Sequence, residues 1–170
     1  WIGECVDHYE NKVDDEKLML DLLNARVSNE FDRLSEFETR ISTSVYPSKF
    51  NEAIASIYYN YGVEFDRKNE DVPALLNYRK ALERNKAFFE AHYNIGMIHA
   101  KNKKFEDAIE EFKFAIAIKE DFAMTHAALG NAYFEIEEFD LALDFYEKSL
   151  ALDPGNAEVI YNKGNAYLSK

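Results

Sequence analysis

Gly62, Gly96, Gly130 and Gly164 stand 34 residues apart, and four further columns keep the same interval. They are Ala74, Ala108 and Ala142; Tyr78, Phe112 and Tyr146; Ala81, Ala115 and Ser149; and Phe65, His99, Tyr133 and Tyr167. One period shared by five columns means a chain built from stacked units, each unable to bury its apolar face alone. Within a unit the apolar spacing is helical, as in Phe105, Ile109, Phe112 and Ile116, with Ala108 and Ala115 where a neighbouring helix comes close. Breaks at Lys68-Asn69-Glu70-Asp71, Asn102-Lys103, Glu137-Glu138 and Asp153-Pro154-Gly155-Asn156 divide the units into paired helices with short loops. Pro73 suits a first helical turn, where no amide partner is needed. The glycine column predicts helix-to-helix contact, which offsets the roughly 0.5–1 kcal/mol that glycine costs inside a helix.

Composition excludes several function classes. The 170 residues are 47% hydrophobic, enough to bury one sizeable core. The formal charge of -12 is spread along the chain and repels phosphate backbones and anionic lipid, so nucleic acid is not an expected partner. No apolar run approaches the ~18–20 residues of a membrane span, so no membrane insertion is expected. Cys5 is the single cysteine; it can form no internal disulfide and matches no zinc pattern, which points to a cytoplasmic location. A start at Trp1 rather than Met and a stop at Lys170 inside the periodic pattern read as a fragment, from which a signal or anchor could have been cut.

The five columns resemble the signature of the tetratricopeptide repeat family: Gly96, His99, Ala108, Phe112 and Ala115 in one unit, Gly130, Tyr133, Ala142, Tyr146 and Ser149 in the next. The resemblance covers about residues 55–170, as units 55–88, 89–122 and 123–156 and a first helix 157–170. The family's late proline appears only as Pro154, with Lys86 and Glu120 at the equivalent places. Asp71 stands where Phe105 and Phe139 stand later, so the first unit is the least regular. The resemblance implies an all-α fold, a right-handed superhelical solenoid of antiparallel helix hairpins over residues 48–170.

Residues 1–47 do not fit the register. Shifted back one period, Arg40 falls on the alanine column, where an unpaired buried guanidinium is implausible. Leu20, Val27, Leu34 and Ile41 are seven apart, with Leu23 and Phe37 at the complementary step, which predicts one long amphipathic helix from about 14 to 45, ended by Pro47. The seam is expected to cap the first hairpin; the alternative is a homodimer through residues 14–45, against which Glu30 and Ser44 on the seam argue.

The resemblance also implies a concave groove lined by the first helix of each hairpin. Carried over position by position, the candidate peptide-binding residues are Tyr59, Asn60 and Val63; then Tyr93, Asn94, Met97 and Lys101; then Ala127, Asn131 and Phe134, with Ala128 and Glu135; and then Tyr161, Asn162 and Asn165. Amides both donate and accept and so suit a peptide backbone, while Tyr and Met supply apolar contact. The family's Lys–Asn–Arg clamp for chaperone tails has no cations here, since its places map onto Tyr59, Glu90 and Asn94, or Tyr93, Met124 and Ala128.

His92, His99 and His126 are the only histidine grouping to weigh as a metal site, and they are read as core packing because no cysteine or carboxylate pair completes a ligand set. Glu110-Glu111 and Glu137-Glu138 are read as solvated, and no phosphate-cradling loop or nucleophile elbow occurs. Neither catalysis nor a cofactor is expected. The sequence thus points to a protein–protein interaction module, an adaptor or assembly scaffold holding a partner's peptide or helix. The alternatives are a small acidic secretion or assembly chaperone, and a non-catalytic regulatory segment of a larger protein.

Overall fold

The computed structural model describes residues 15–22, 24, 34–42, 44 and 47–170, and every regular element among them is helical. Helix α1 covers residues 15–22 and α2 covers Leu34–Ser42; a 3-10 turn, Pro47–Phe50, runs into α3, Asn51–Arg67. Then follow α4 (Asp71–Arg84), α5 (Phe89–Lys101), α6 (Phe105–Ile118), α7 (Ala123–Glu135), α8 (Phe139–Leu152) and α9 (Ala157–Ser169). The chain divides into two compact units, Trp1–Lys86 and Ala87–Lys170.

In the first unit the expected single helix from 14 to 45 is corrected. Ser44 Oγ donates to Asp15 Oδ2 at 2.8 Å, and Arg40 Nη1 to Asp21 Oδ2 at 3.4 Å. In one continuous helix, residues 15 and 44 would lie roughly 43 Å apart. Helices α1 and α2 therefore lie side by side. A seven-residue apolar spacing is satisfied as well by two short helices facing each other, and that arrangement buries Leu18, Leu22, Phe37 and Ile41 within the unit. Leu20, expected on the seam, is 58% exposed, because Leu18 and Leu22, one turn apart, form the inner stripe instead. Cys5, His8, Leu23, Val27 and Glu30 lie outside the described residues. Arg40 avoids burial without a partner by pairing with Asp21 and, at 3.9 Å, with Glu36. Glu38 ties α2 to the α3–α4 hairpin: its Oε1 accepts from Tyr58 Oη and from Arg84 Nη2, both at 2.9 Å.

In the second unit each helix from α5 to α9 packs on the next, and α5 also meets α7 as α7 meets α9. Ala108, Phe112, Leu129, Ala132, Ala142 and Tyr146 are buried at its centre. The glycine column makes the close contact its spacing predicts. A Cβ added at Gly96 would stand 2.6 Å from Phe112 Cε1, and one at Gly130 would stand 2.7 Å from Tyr146 Cδ1. Gly62 meets the Tyr78 ring in the same way within the first unit. Ser149, on a column otherwise alanine, is fully buried with its hydroxyl satisfied, donating to the Ala123 carbonyl at 2.9 Å.

The hairpin turns share one backbone device. Asn69, Lys103 and Glu137, again 34 apart, adopt φ of 57°, 59° and 63°. In each turn the following amide reaches back to the helix end, Glu70 to Phe65 O, Lys104 to His99 O and Glu138 to Tyr133 O, at 2.9–3.0 Å. These are left-handed caps that satisfy otherwise orphaned carbonyls. At the last loop Asn156 caps α9, its side chain accepting from the Val159 amide at 3.2 Å.

Candidate peptide-binding cleft

The second unit carries a cleft of about 300 Å³ between α5, α6, α7 and α9. Tyr93, Met97 and Ala100 form one wall from α5; Met124, Ala127, Ala128, Asn131 and Glu135 run along α7; Glu158 and Asn162 come from α9, with Asn156 at its cap. Phe105, Phe112, Ala132 and Val159 also line it. A second recess of about 240 Å³ shares Asn131, Glu135 and Asn162 and adds Phe134, Tyr146 and Asn165.

Helical spacing places these side chains together. Residues 93, 97 and 100 lie on one stripe of α5, residues 124, 128, 131 and 135 on one stripe of α7, and residues 158, 162 and 165 on one stripe of α9. Tyr93 is held from behind by aromatic rings, with centroids 6.0 Å from Phe112 and 5.8 Å from Phe122. This burial keeps its phenol protonated beyond the ordinary range. Met97 and Met124 are 43% and 55% exposed, the soft apolar elements of the cleft. Asn131 is less available than its position suggests. Its Oδ1 already accepts from Tyr146 Oη at 2.8 Å and from Asn162 Nδ2 at 3.0 Å, a bond that joins α7 to α9. Burial and then the nearby Glu135 carboxylate raise the Tyr146 pKa, which keeps its hydroxyl a donor to Asn131.

Of the residues expected from the sequence, the structure brings Tyr93, Met97, Ala127, Asn131 and Asn162 together in the larger cleft, along with Ala128 and Glu135. It places Phe134 and Asn165 in the recess beside it. Asn94, half-buried on α5, Lys101, exposed at the end of that helix, and Tyr161, 69% exposed on α9, line neither. Tyr59, Asn60 and Val63 lie half-buried on α3 of the first unit, and the Tyr59 ring sits 5.6 Å from Tyr78. Met124 and Glu158 were not among the candidates, although each is the residue one turn before Ala128 or Asn162 on stripes already identified.

The histidines are occupied separately. His92 Nδ1 meets Glu111 Oε2 at 2.7 Å and its ring stacks on Phe114. His126 Nε2 donates to the Glu120 carbonyl at 2.8 Å, and His99 Nδ1 lies 3.9 Å from Asp107. Among the described residues no group of three His, Cys, Asp or Glu side chains is placed to hold a metal ion, and no helix is long and apolar enough to cross a membrane.

A fold of stacked helix hairpins with a cleft on its first helices defines a helical repeat protein. Sequence models of the tetratricopeptide repeat match residues 89–122 and 123–156, and a further one matches 145–170. Residues 89–170 are thus tetratricopeptide repeats. No curated protein matches it significantly in sequence. Among solved structures, the MamA protein superposes with a TM-score of 0.66 at 21% identity, over 91% of this chain and 81% of that one. The first tetratricopeptide domain of Spaghetti (RPAP3), bound to the HSP90 peptide SRMEEVD, gives 0.66 at 19% identity, over 69% and 96%. The second such domain of human RPAP3, in complex with the HSP70 peptide SGPTIEEVD, gives 0.63 at 19% identity, over 71% and 98%.

Proposed function

We propose that the protein is a non-catalytic interaction module, an adaptor or assembly scaffold, whose second-unit cleft holds a segment of a partner protein. The observation that carries this reading is a cleft of about 300 Å³ walled by the first helices of consecutive hairpins, with two exposed methionines, Met97 and Met124, at its surface. Contiguous exposed apolar surface beside polar groups is typical of partner sites. Structures of the same fold bound to peptides support it.

Residues 1–47 are proposed as a cap on the array of residues 48–170. The bonds from Tyr58 and Arg84 to Glu38 support this over a dimerising seam, as does the burial of Phe37 and Ile41 within the unit.

The test is partner capture from an extract by the full chain and by a Met97→Ala, Met124→Ala variant with unchanged helical circular dichroism. Exposed methionines can be truncated with little effect on folding, so a partner lost only by the variant supports the cleft. A partner retained at equal affinity by both moves the binding surface elsewhere.

A further inference from the structure

We infer that the cleft takes an extended segment of a partner in which apolar side chains are bracketed by Lys or Arg, rather than an acidic tail. The inference rests on the cleft being the binding surface and concerns what that surface selects. The two peptide-bound structures of similar fold carry ligands ending in Glu-Glu-Val-Asp. Here the lining includes the carboxylates Glu135 and Glu158 and no Lys, Arg or His. Both glutamates are exposed, and neither is engaged by a cation among the described residues. An acidic ligand would bring further negative charge to a chain of net charge -12, whereas a cation would supply the missing partner.

Their positions set the spacing. Glu158 occupies the same repeat position as Met124, 34 residues earlier, so it marks the level of the N-terminal end of α7. Glu135 lies 11 residues after Met124 on α7, roughly 16 Å along the axis. An extended chain covers that distance in about five residues. Met124 stands at the level of Glu158, and between that level and Glu135 lie Met97, Ala127 and Ala128, which call for apolar side chains in the middle of the segment.

The experiment measures fluorescence anisotropy of three labelled peptides of equal length, each with a leucine-rich centre and flanked by lysine, glutamine or glutamate. The lysine-flanked peptide is expected to bind the full chain about tenfold more tightly than the glutamine-flanked one, with the glutamate-flanked one weakest. In a Glu135→Gln, Glu158→Gln variant that advantage should vanish. Equal affinities, or a preference for the glutamate-flanked peptide, overturn the inference. If binding in that case still falls on Met97→Ala, Met124→Ala, the cleft reading survives without its charge preference. If no peptide binds, or the methionine truncations change nothing, both readings fail.

Discussion

Gly96 and Phe112 are in direct contact across the α5–α6 hairpin, so close that a single added methyl at Gly96 would stand 2.6 Å from the Phe112 ring. The pair recurs as Gly130 and Tyr146, and in the first unit as Gly62 and Tyr78. Gly164, on the same column, has nothing within 4 Å of where a Cβ would be. Position in the repeat is identical; the surroundings are not.

Gly96→Ala and Gly164→Ala should therefore act in opposite directions. At Gly96 overpacking costs about 1–3 kcal/mol and outweighs the gain in helix propensity, so the variant should be destabilised. At Gly164 only the propensity gain remains, about 0.5–1 kcal/mol of stabilisation. Thermal unfolding of the two variants checks this; a stabilised Gly96→Ala would show that the hairpin can open without cost.

Glu137 holds φ of 63° without being glycine. An L side chain in that region costs about 1–2 kcal/mol, part of which glycine recovers. Glu137→Gly should raise the denaturation midpoint, by up to about 1 kcal/mol in free energy. Lys103→Gly should behave alike, and Asn69→Gly should gain less, because Asn tolerates the left-handed region better.

Stability should fall in alkali through identifiable tyrosines. Tyr58 is held protonated above its ordinary pKa of 10.0, first by burial and then by its bond to Glu38; Tyr146 is raised by burial and then by Glu135. A pKa raised on folding means the native state favours the protonated phenol. The contribution is complete below the unfolded value of about 10 and is lost as pH climbs from there toward the folded value. Denaturation midpoints taken from neutral pH to about pH 11 should drop steeply at the top of the range, and less steeply in Tyr58→Phe and Tyr146→Phe. An alkaline limb unchanged in both variants would assign the loss to other groups.

Glu38 serves two donors with one oxygen, so Glu38→Ala should leave Tyr58 and Arg84 without their acceptor and cost about 1–3 kcal/mol. The same substitution should lower the Tyr58 pKa, since the carboxylate both bonds to the phenol and repels its ionised form. Tyrosinate absorbance against pH reads this second effect separately from stability.

Asn131 shows why the candidate site was only partly legible in the sequence. Its place on the first-helix stripe marks it as a cleft residue, and it lines the cleft. That its carbonyl oxygen is already taken, by Tyr146 across its own hairpin and by Asn162 from the next, depends on how the helices pack in space, which the repeat spacing does not reveal. Lys101 and Tyr161 sit at equally plausible repeat positions and line neither recess, because a groove position inherited from a repeat takes no account of which neighbours surround it. Met124 and Glu158 carried a usable signal in the helical stripes; extending each by one turn finds them.

The repeat is legible in the order of residues alone. A period of 34 residues, apolar residues at helical spacing, and small residues facing aromatic ones all encode local geometry, and the helices of residues 51–169 follow them closely. The arrangement of the N-terminal segment depends on packing that the spacing does not encode. A heptad of apolar residues specifies that a helical face must be covered without naming the cover, and here α1 and α2 cover each other's faces where one long helix was expected. Tertiary packing also set the character of the cleft, because two carboxylates from consecutive repeats, with no cation among the lining side chains, come to border one cleft only when α7 and α9 are packed together.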